Sequence, residues 1–346
     1  MRTVPEYGIE SPAALGFYAR RMLLSPRLAV IVLNFRTPEV TIACLKTLAA
    51  EAVANPGLEV IVVDNASGDD SVPRIRAAIA ENGWTGGWLD FREQDRNLGF
   101  AGGNNLILRE RMAAENPPDY LLLLNSDTLV RPGCLAYCMK VMEEDPKIGA
   151  LSCMLRNSDG TVQNVCRKFP SPLRESVRAF GLPWFVPALF RWADLEDSGW
   201  DRIAGPRDVD WIGGAFFFAR TEALQVAGVL DQEFFFYGED CEWCHRLRRH
   251  GWRIRFDPGA ETVHLGGASS DSTRVRNRQR DIYTWKARFL VQRKCYGRAA
   301  ERLVRGCYIT MFALRLGFAR ITGRGRSQKA ADLREGLSLL LHPQDK

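Results

Sequence analysis

Glu239 and Asp240 form an acidic pair directly behind four aromatic residues, in the stretch FFFYGEDCEWCHRLRRHGW that spans residues 234–252. Aromatic neighbours partly remove a carboxylate from water, and desolvation raises its pKa, which suits the group to accept a proton. A simpler interpretation makes Asp240 the N-cap of a helix that ends at Gly251. The two interpretations are compatible, because a capping hydrogen bond would fix the orientation of the carboxylate.

A second group of polar residues follows four apolar runs of strand length. The runs are LAVIVLNF (28–35), EVIVVDNAS (59–67), WLDFREQ (88–94) and YLLLLNSD (120–127), and helix-like stretches separate them. Strands that are apolar on both faces and alternate with helices predict an α/β fold, with a mostly parallel sheet flanked by helices. Such sheets bind ligands beyond the carboxyl ends of their strands.

The strand ends therefore define a candidate binding site. Its members are Asn34, Asp64–Asn65, Asn97–Gly99 and Asn125–Asp127. Any one of these Asn or Asp residues could merely cap the next helix or make a turn. All four strand ends together favour a polar ligand that spans the edge of the sheet.

The loops indicate what kind of ligand this would be. The first strand is followed by no G-x-G-x-x-G loop and the chain has no G-K-[ST] sequence, so the usual dinucleotide and P-loop signatures are missing. Asp127 is placed to bind a hard divalent cation, which takes carboxylate oxygens and leaves positions for phosphate. Gly99, Gly102 and Gly103 allow the backbone to approach a bulky ligand. These features predict a nucleotide diphosphate held by a divalent metal ion, Mg²⁺ or Mn²⁺.

Composition restricts the class of protein. Of the 346 residues, 46% are hydrophobic and 25% are charged, which is typical of a soluble globular protein, and the nine scattered cysteines fit a reducing cytoplasm. The best membrane-spanning candidate in the tail, GCYITMFAL at 306–314, has nine residues where about twenty are needed. We therefore expect a cytoplasmic protein, and no nucleic-acid-binding motif accompanies its basic charge.

Charge is divided unevenly along the chain. Residues 273–346 carry 18 Lys and Arg against 5 Asp and Glu, whereas the remainder has more acids than bases. The charge and the pattern of apolar runs together predict three segments. They are an N-terminal appendage (1–26), a main domain (27–275) with a nucleotide-binding half (27–130) and a catalytic and acceptor-binding half (131–275), and a basic helical C-terminal extension (276–346).

The C-terminal extension has two open interpretations. Apolar residues such as Val304, Tyr308 and Phe312 recur at helical spacing, with arginines beside them. Such a helix can lie on the surface of an anionic membrane, as a peripheral contact, or it can pack against the main domain or a second copy of the chain. The uncharged stretch AFGLPWFVPALF at 179–190 is likewise either a packed excursion or a surface for a lipid-linked acceptor.

Six motifs, in their order and spacing, resemble those of bacterial family 2 glycosyltransferases, and most of all the rhamnosyltransferase-like members. They are VVDNASGDDS, NLGFAGGNN, LLLNSD, WIGGAFFFAR, FFFYGEDCEWCHRLRRHGW and VHLGGASS, all within residues 27–275. The resemblance implies a GT-A fold, a nucleotide-sugar donor, a divalent metal ion and inversion at the anomeric carbon. It makes dTDP-L-rhamnose the expected donor and a polysaccharide or lipid-linked glycan the expected acceptor.

Roles for individual residues follow from the same resemblance. Asp240 would be the general base, with Glu239 in support, and Arg246 would brace that carboxylate or a phosphate. Asp127 and His264 would approach the metal ion, and Asp64 would contact the base of the nucleotide. The expected donor-binding residues are Asn34, Asp64, Asn97, Gly102, Gly103, Asn104 and Asp127, and the expected pocket for the sugar and acceptor is Trp211, Gly213 and Gly214.

One motif departs from the family pattern, since Asn125-Ser126-Asp127 stands where Asp-x-Asp is usual. A single carboxylate makes a weaker metal site, so metal binding would depend on the phosphates of the donor. His264 is either a ligand or a packed, hydrogen-bonded residue at the end of an apolar run. Two alternatives for the whole chain are a UDP-hexose or galactofuranosyl transferase of the same fold, and a non-catalytic sugar-nucleotide-binding subunit of an envelope assembly complex.

Overall fold

The computed structural model describes residues 27–84, 87–196, 205–266, 274–324 and 327–341. The N-terminal appendage predicted at residues 1–26 lies outside the described residues, and so do the last four residues of the VHLGGASS motif. The described part has the α/β architecture that the alternating apolar runs predict.

Nine strands of the described residues form one sheet, and two more form a small separate sheet. The strands are β1 (Leu28–Asn34), β2 (Leu58–Asp64), β3 (Leu89–Glu93), β4 (Tyr120–Asn125), β5 (Thr128–Val130), β6 (Ile148–Arg156), β7 (Cys166–Arg167), β8 (Arg207–Asp208), β9 (Trp211–Ile212), β10 (Phe216–Arg220) and β11 (Arg253–His264). The order across the large sheet is β3-β2-β1-β4-β10-β6-β11-β5, with β8 also paired to β11, while β7 pairs with β9.

The sheet is parallel where the ligand-binding strand ends are expected. β3, β2, β1 and β4 run parallel to one another, and β11 runs parallel to β6, whereas β10 is antiparallel to both β4 and β6. The strand order reverses at β1, because β2 lies on one side of it and β4 on the other. In open α/β sheets, the crevice at such a reversal is where ligands bind.

Twelve α-helices are present in the described residues. They are α1 (Pro38–Ala54), α2 (Ser71–Glu81), α3 (Gly99–Met112), α4 (Cys134–Glu144), α5 (Pro172–Ala179), α6 (Leu182–Phe185), α7 (Pro187–Phe190), α8 (Thr221–Ala227), α9 (Glu239–Arg249), α10 (Arg274–Val291), α11 (Arg298–Ile321) and α12 (Gln328–Leu341). A 3₁₀ turn covers Arg191–Ala193 and a π-helical turn covers Gln292–Tyr296. α1 packs against β2 and β5, α3 against β1, and α4 against β6 and β11.

The centre of the sheet supplies the main core. Val30 and Ile31 of β1, Val62 of β2 and Leu122 of β4 are completely buried, so consecutive residues of a strand are covered on both faces. Full burial of a side chain of this size contributes roughly 1.5–3 kcal/mol. The core therefore fixes the strands firmly, and with them the polar residues at their carboxyl ends.

The C-terminal extension is helical and packs against the rest of the protein. α11 lies against α5, and there Val304 and Tyr308 join Ala179 in a second, smaller core. The Tyr308 hydroxyl donates a hydrogen bond of 2.9 Å to the buried Glu175 carboxylate. Of the helices that the structure describes, none combines the length and the apolar character needed to cross a membrane.

Candidate functional site

Asn34, Asp64 and Asn125 end three adjacent strands of the sheet. Asn34 pairs with Asp64 across the β1–β2 ladder, and Leu33 beside it pairs with Asn125 across the β1–β4 ladder. The three polar residues therefore meet at one edge, at the point where the strand order reverses. This is the convergence that the sequence predicts.

Asp64 is almost completely buried, but its carboxylate can still accept one further hydrogen bond. Its Oδ1 accepts from Asn34 Nδ2 at 2.7 Å and from Ser67 Oγ at 2.6 Å, and its Oδ2 accepts from the Ser67 backbone N–H at 3.0 Å. An ionised carboxylate offers about four lone-pair positions. One position on Oδ2 remains for a ligand that donates an N–H or O–H group.

Asn34 supports Asp64 from behind, which corrects the expectation that it contacts the donor directly. Its Nδ2 donates to Asp64 and, at 3.2 Å, to Ser67, and its Oδ1 accepts from the hydroxyls of Thr37 at 3.2 Å and Thr41 at 2.8 Å. A carboxamide has two N–H donors and two acceptor positions, and all of them are used here. Because Asn34 is also completely buried, it has nothing left to offer a ligand.

Two asparagines fix the loop that leads into α3. Asn65 Nδ2 donates to Asn97 Oδ1 at 3.0 Å and to the Gly99 carbonyl at 3.2 Å, and Asn65 Oδ1 accepts from the Leu98 N–H at 3.1 Å. Gly99 has φ +69°, and a Cβ there would lie 2.6 Å from the Phe235 carbonyl oxygen. Only glycine fits this close approach. The exposed Asn97 is thereby held beside the aromatic run that precedes the acidic pair.

Gly102, Gly103 and Asn104 lie inside α3. A Cβ on Gly103 would be 2.7 Å from Leu33 Cδ1, and one on Gly102 would be 2.7 Å from Leu98 Cβ. Asn104 is buried, and its side chain donates 2.9 Å to a carbonyl of its own helix. The two glycines let α3 and the residue before it pack closely against β1 and against each other. A contact of Gly102, Gly103 and Asn104 with a ligand stays a prediction.

Asp127 and His264 face each other, with His264 Nε2 3.2 Å from Asp127 Oδ1. The antiparallel pairing of β5 with β11 sets this geometry, because His264 is in register with Thr128, and the Leu265 N–H donates 2.9 Å to the Asp127 carbonyl. His264 Nε2 also lies 3.3 Å from Nδ2 of Asn125. Asn125, the residue in which this motif differs from the usual Asp-x-Asp, therefore also lies next to His264.

Gln163 determines which nitrogen of His264 carries the proton. The Gln163 Nε2 donates to Asn157 Oδ1 at 2.6 Å and to the His264 carbonyl at 2.7 Å, so its Oε1 is the atom that lies 2.7 Å from His264 Nδ1. In a neutral imidazole, an acceptor at that distance favours the proton on Nδ1 and leaves the lone pair on Nε2, the atom that lies 3.2 Å from Asp127 Oδ1. The sequence motifs do not include Gln163.

The Asp127–His264 pair fits a divalent cation as two of its ligands. Metal bonds of about 2.0–2.2 Å place neighbouring ligand atoms roughly 3 Å apart, and the pair is separated by 3.2 Å. The residues that the structure describes include no group of three His, Cys, Asp or Glu side chains able to hold a metal ion. Oxygens of a bound ligand would have to complete the coordination, as phosphate oxygens do in Mg²⁺ sites.

Asp240 is held by two backbone N–H groups. Its Oδ2 accepts from Gly214 at 3.1 Å and its Oδ1 accepts from Cys241 at 2.7 Å. The prediction that Asp240 is the N-cap of its helix is wrong, since α9 begins at Glu239 and Gly238 is the N-cap. Gly238 takes that place because the turn requires φ +87°, a conformation that glycine adopts without strain. Asp240 therefore lies in the first turn.

The two members of the acidic pair differ in their surroundings. Burial raises the pKa of Asp240, while the hydrogen bonds from Cys241 and Gly214 and the charge of Arg167 oppose that shift. Burial, and then the charge of Asp240, raise the pKa of Glu239, whose Oε2 has no hydrogen-bond partner. Two adjacent buried carboxyls avoid being ionised together. Asp240, which has the N–H donors, is the member suited to carry the negative charge.

Gly214 and Ala215 connect the acidic pair to the end of β4. The Gly214 N–H donates to Asp240, and the Ala215 carbonyl accepts from the Asn125 N–H at 3.1 Å. Gly213 precedes this link, and a Cβ on it would meet only Asp240 Oδ2, at 4.0 Å. Gly213 therefore leaves open space in front of the carboxylate, as a pocket for a substrate requires.

Arg167 belongs to the same region and was not among the predicted residues. It pairs with Trp211 across the β7–β9 ladder, and its guanidinium lies 5.4 Å from the centre of the Trp211 ring. The indole N–H of Trp211 donates 3.0 Å to the Lys168 carbonyl. Trp211 packs against the cluster that includes Cys241, the chain neighbour of Asp240, and the positive charge of Arg167 acts on Asp240.

Arg246 does not brace Asp240, which is one of the two roles expected for it, and its contact with a phosphate stays a prediction. Its guanidinium binds Glu242 through two hydrogen bonds, of 2.9 and 2.7 Å, and also donates to the carbonyls of Ala227 and Val229. Residues four apart share one side of a helix, whereas residues six apart do not. Arg246 therefore fixes the segment that leads to the aromatic run and makes no contact with the acidic pair.

Two further contacts that the sequence did not reveal hold that segment. The buried Asn105 donates 2.7 Å to the Leu230 carbonyl and accepts from the Leu230 N–H at 3.0 Å. Lys294 of the C-terminal extension forms an ion pair of 2.7 Å with Asp231. The aromatic run and the acidic pair are thus supported by α3 on one side and by the extension on the other.

One family model matches most of the chain. It carries the description "Glycosyltransferase like family 2", and it matches residues 26–284. These residues include every predicted site residue described above.

Two curated relatives are rhamnosyltransferases. The N-acetylglucosaminyl-diphospho-decaprenol L-rhamnosyltransferase of Mycobacterium tuberculosis (strain ATCC 25618 / H37Rv) is 29% identical over 150 residues, which cover 42% of this chain and 47% of that protein. The rhamnosyltransferase WbbL of Escherichia coli (strain K12) is 25% identical over 169 residues, which cover 48% of this chain and 60% of that protein. The matches thus span about half the length of these relatives.

A solved structure with a similar fold is the mannosyltransferase PcManGT from Pyrobaculum calidifontis, in complex with GDP-Man and Mn²⁺. The TM-score is 0.55, and the match covers 95% of this chain and 88% of that one, with 20% sequence identity. At this level of identity the likeness concerns the fold alone.

Proposed function

We propose that this chain, which belongs to the glycosyltransferase like family 2, transfers L-rhamnose from dTDP-L-rhamnose. The acceptor is a polysaccharide or a lipid-linked glycan, and the configuration at the anomeric carbon is inverted. Transfer of a glycosyl group is supported by the family to which the chain belongs. The choice of sugar is supported by the two rhamnosyltransferases among its relatives. A lipid-linked acceptor is supported by the relative whose name specifies a diphospho-decaprenol substrate.

The proposal rests chiefly on the link between the two halves of the site. Gly214 and Ala215 join the carboxylate of Asp240 to the backbone of Asn125, two residues before Asp127. A transferase needs a proton acceptor on one side of the sugar and charge stabilisation of the leaving group on the other. This short connection holds the two functions in a fixed relation.

The proposed reaction is a single displacement. The oxygen of an acceptor hydroxyl attacks the anomeric carbon of the donor sugar, and the hydroxyl proton passes to the carboxylate of Asp240. The bond between the anomeric carbon and the diphosphate oxygen breaks, and its electron pair leaves with the nucleotide diphosphate. Because one displacement occurs at that carbon, its configuration is inverted. No covalent intermediate with the protein is needed.

Asp64, Asn97 and Asp127 would bind the donor. The free position on Asp64 Oδ2 suits the N–H group of a pyrimidine base, and the exposed Asn97 lies on the same loop region. Asp127 and His264 would hold Mg²⁺ or Mn²⁺, which when bound supplies positive charge to the departing diphosphate. Gln163 would keep Nε2 of His264 available as a ligand atom.

A donor screen tests the proposed substrate. The protein is heated with dTDP-rhamnose, UDP-glucose, UDP-galactose, UDP-GlcNAc or GDP-mannose, each with and without Mn²⁺, and unfolding is followed by fluorescence. A ligand at a hundred times its Kd stabilises the folded state by about 2.7 kcal/mol. We expect the largest shift with dTDP-rhamnose, and only when Mn²⁺ is present.

Two variants make the screen specific. Asp64→Ala should remove the shift, whereas Glu144→Gln, which changes an exposed carboxylate at the end of α4, should keep it. A larger shift with a UDP-sugar would replace the rhamnosyl proposal by a UDP-sugar donor. Binding of the donor without any transfer to glycan acceptors would instead favour a non-catalytic role.

A further inference from the structure

A group of large apolar side chains is exposed on one side of the protein. Its members are Trp184, Phe185 and Leu189 of the α6–α7 excursion, and Leu314, Phe318 and Ile321 of α11, and we call these six residues the apolar surface. Their exposed fractions lie between 61% and 87%. Single exposed apolar residues are ordinary, but a group of this size on two neighbouring elements is typical of an interaction site.

The two parts of the apolar surface adjoin each other. α5, which leads into the excursion, packs along α11, and the Arg315 guanidinium lies beside Gly181, 3.6 Å from where a Cβ would be. The Arg178 guanidinium lies 5.3 Å from the centre of the Trp184 ring. The opposite face of α11 is already used, because Val304 and Tyr308 are buried in the second core.

Positive charge accompanies these apolar residues. Arg302, Arg315, Arg320 and Arg324 are exposed on or just after α11. The extension that contains them, residues 276–346, has 17 Lys and Arg against 5 Asp and Glu. Exposed apolar side chains flanked by arginines complement a bilayer interface with anionic headgroups, where each basic residue near the surface contributes about 1 kcal/mol. A protein partner would need acidic and apolar groups arranged to match.

The excursion is attached at both ends beside the acidic pair. It leaves the small β7–β9 sheet after Arg167 and returns to it, where the Lys168 N–H donates 2.9 Å to the Leu195 carbonyl and Arg167 forms a bridge with Glu196. The positive charge of Arg167 acts on Asp240, and Trp211 packs against the cluster that includes Cys241. The excursion that carries part of the apolar surface is therefore connected at both ends to the proposed acceptor side of the site.

We propose that the apolar surface docks the protein peripherally on an anionic phospholipid bilayer. Trp184, Phe185 and Leu189, together with Leu314, Phe318 and Ile321, enter the interfacial layer, and the neighbouring arginines contact the headgroups. The docked orientation presents the region of Arg167 and Trp211 to a lipid-linked acceptor, and this last step rests on the proposed function. The binding of the protein to the lipid bilayer does not depend on the proposed function.

Sedimentation with vesicles tests the docking. The full chain is mixed with vesicles of phosphatidylglycerol and phosphatidylcholine, or of phosphatidylcholine alone, at low and high salt. We expect binding to the anionic vesicles that weakens with salt. The triple variant Trp184→Ser/Phe185→Ser/Leu189→Ser and the double variant Leu314→Ser/Phe318→Ser should each lose on the order of tenfold or more in affinity.

A matched control removes apolar side chains that are equally exposed elsewhere. Val53→Ser/Val226→Ser changes residues that are 87% and 56% exposed, and it should bind vesicles like the unaltered chain. In every variant, a donor-induced thermal shift shows that the protein is folded. Loss of vesicle binding can therefore be distinguished from loss of catalysis. Equal vesicle binding by all variants, or no binding by the unaltered chain, overturns the proposal. A dimer in solution that the triple variant dissociates would assign the surface to a second copy instead.

Discussion

His264 Nε2 lies 3.2 Å from Asp127 Oδ1, although 137 positions separate the two residues in the chain. The pairing of the short strand β5 with the end of β11 brings them together, in a register that sets His264 opposite Thr128. Both residues are held by the sheet, since His264 ends β11 and the Asp127 carbonyl accepts a hydrogen bond from the Leu265 N–H. The separation of the two groups is therefore set by the fold and not by a flexible loop.

Removing either member of this pair should weaken metal binding. Asp127→Asn or His264→Ala leaves one ligand, so the affinity for Mn²⁺ in the presence of a nucleotide diphosphate should fall by on the order of a hundredfold. Isothermal titration calorimetry measures it, and Glu144→Gln serves as the control because that exposed carboxylate only forms a surface ion pair with Lys140. Unchanged Mn²⁺ affinity in both variants would exclude the pair as the metal site.

Gln163 should matter for the metal without touching it. Gln163→Leu removes the acceptor at His264 Nδ1, frees the imidazole to change tautomer, and should lower Mn²⁺ affinity by about 10–100-fold. Gln163→Glu keeps an acceptor at Nδ1 but loses the two hydrogen bonds that Gln163 Nε2 donates, so it should lose less Mn²⁺ affinity than Gln163→Leu. Equal losses in the two variants would mean that Gln163 acts only through packing, which thermal unfolding would show as an equal loss of stability.

Glu239 should make stability depend on pH. Its pKa is raised in the folded protein by burial and by Asp240, so the folded state keeps a proton that the unfolded state has lost above its ordinary pKa of 4.5. Linkage then lowers the free energy of unfolding as pH rises, until Glu239 ionises in the folded state, with a slope of up to about 1.4 kcal/mol per pH unit. This stabilising effect is complete below pH 4.5.

Glu239→Gln tests that assignment. The neutral side chain cannot ionise, so urea unfolding between about pH 5.5 and about pH 8.5 should show a flatter decline than in the unaltered chain. The difference between the two proteins should grow with pH. Parallel curves for the two proteins would mean that Glu239 is already ionised in the folded state.

Gly213 should govern access to Asp240. A side chain there would meet only Oδ2 of Asp240, at 4.0 Å from the Cβ, so Gly213→Val fills the space before the carboxylate without disturbing the core. We expect acceptor transfer to fall by at least about tenfold, with Tm and donor affinity nearly unchanged. Gly205→Val, at another position where a Cβ meets nothing within 4 Å, is the control. Full transfer by Gly213→Val would place the acceptor elsewhere.

The sequence reveals those parts of the site that have a local pattern. Apolar runs that end in Asp64 or Asn125 identify strands and their carboxyl ends, because burial on both faces leaves an unbroken apolar signal. The motif resemblance then connects Asp127, His264 and Asp240. The family membership and the α/β fold inferred in this way are confirmed.

Contacts between segments that are distant in the sequence cannot be predicted from local patterns. Gln163 reaches His264 from a loop, Arg167 lies in a strand of two residues, and Asn105 binds the backbone of Leu230, so none of them has a periodic pattern. The ion pair of Arg246 with Glu242 does have a local pattern, because a spacing of four residues places the two side chains on one side of the helix. The helix begins before Asp240 because Gly238 adopts a positive φ, which no local pattern requires.

Asp240→Asn tests the central claim most directly. Asparagine keeps the shape of the side chain and can still accept the Gly214 N–H, but it cannot take a proton from the acceptor hydroxyl. Transfer is measured as release of nucleotide diphosphate coupled to acceptor elongation, and donor affinity is measured by thermal shift on the same preparation. We predict that kcat falls by about 10²–10⁴-fold while donor affinity stays within about threefold of the unaltered chain. Full transfer by Asp240→Asn would contradict the account, because another group would then have to be the base.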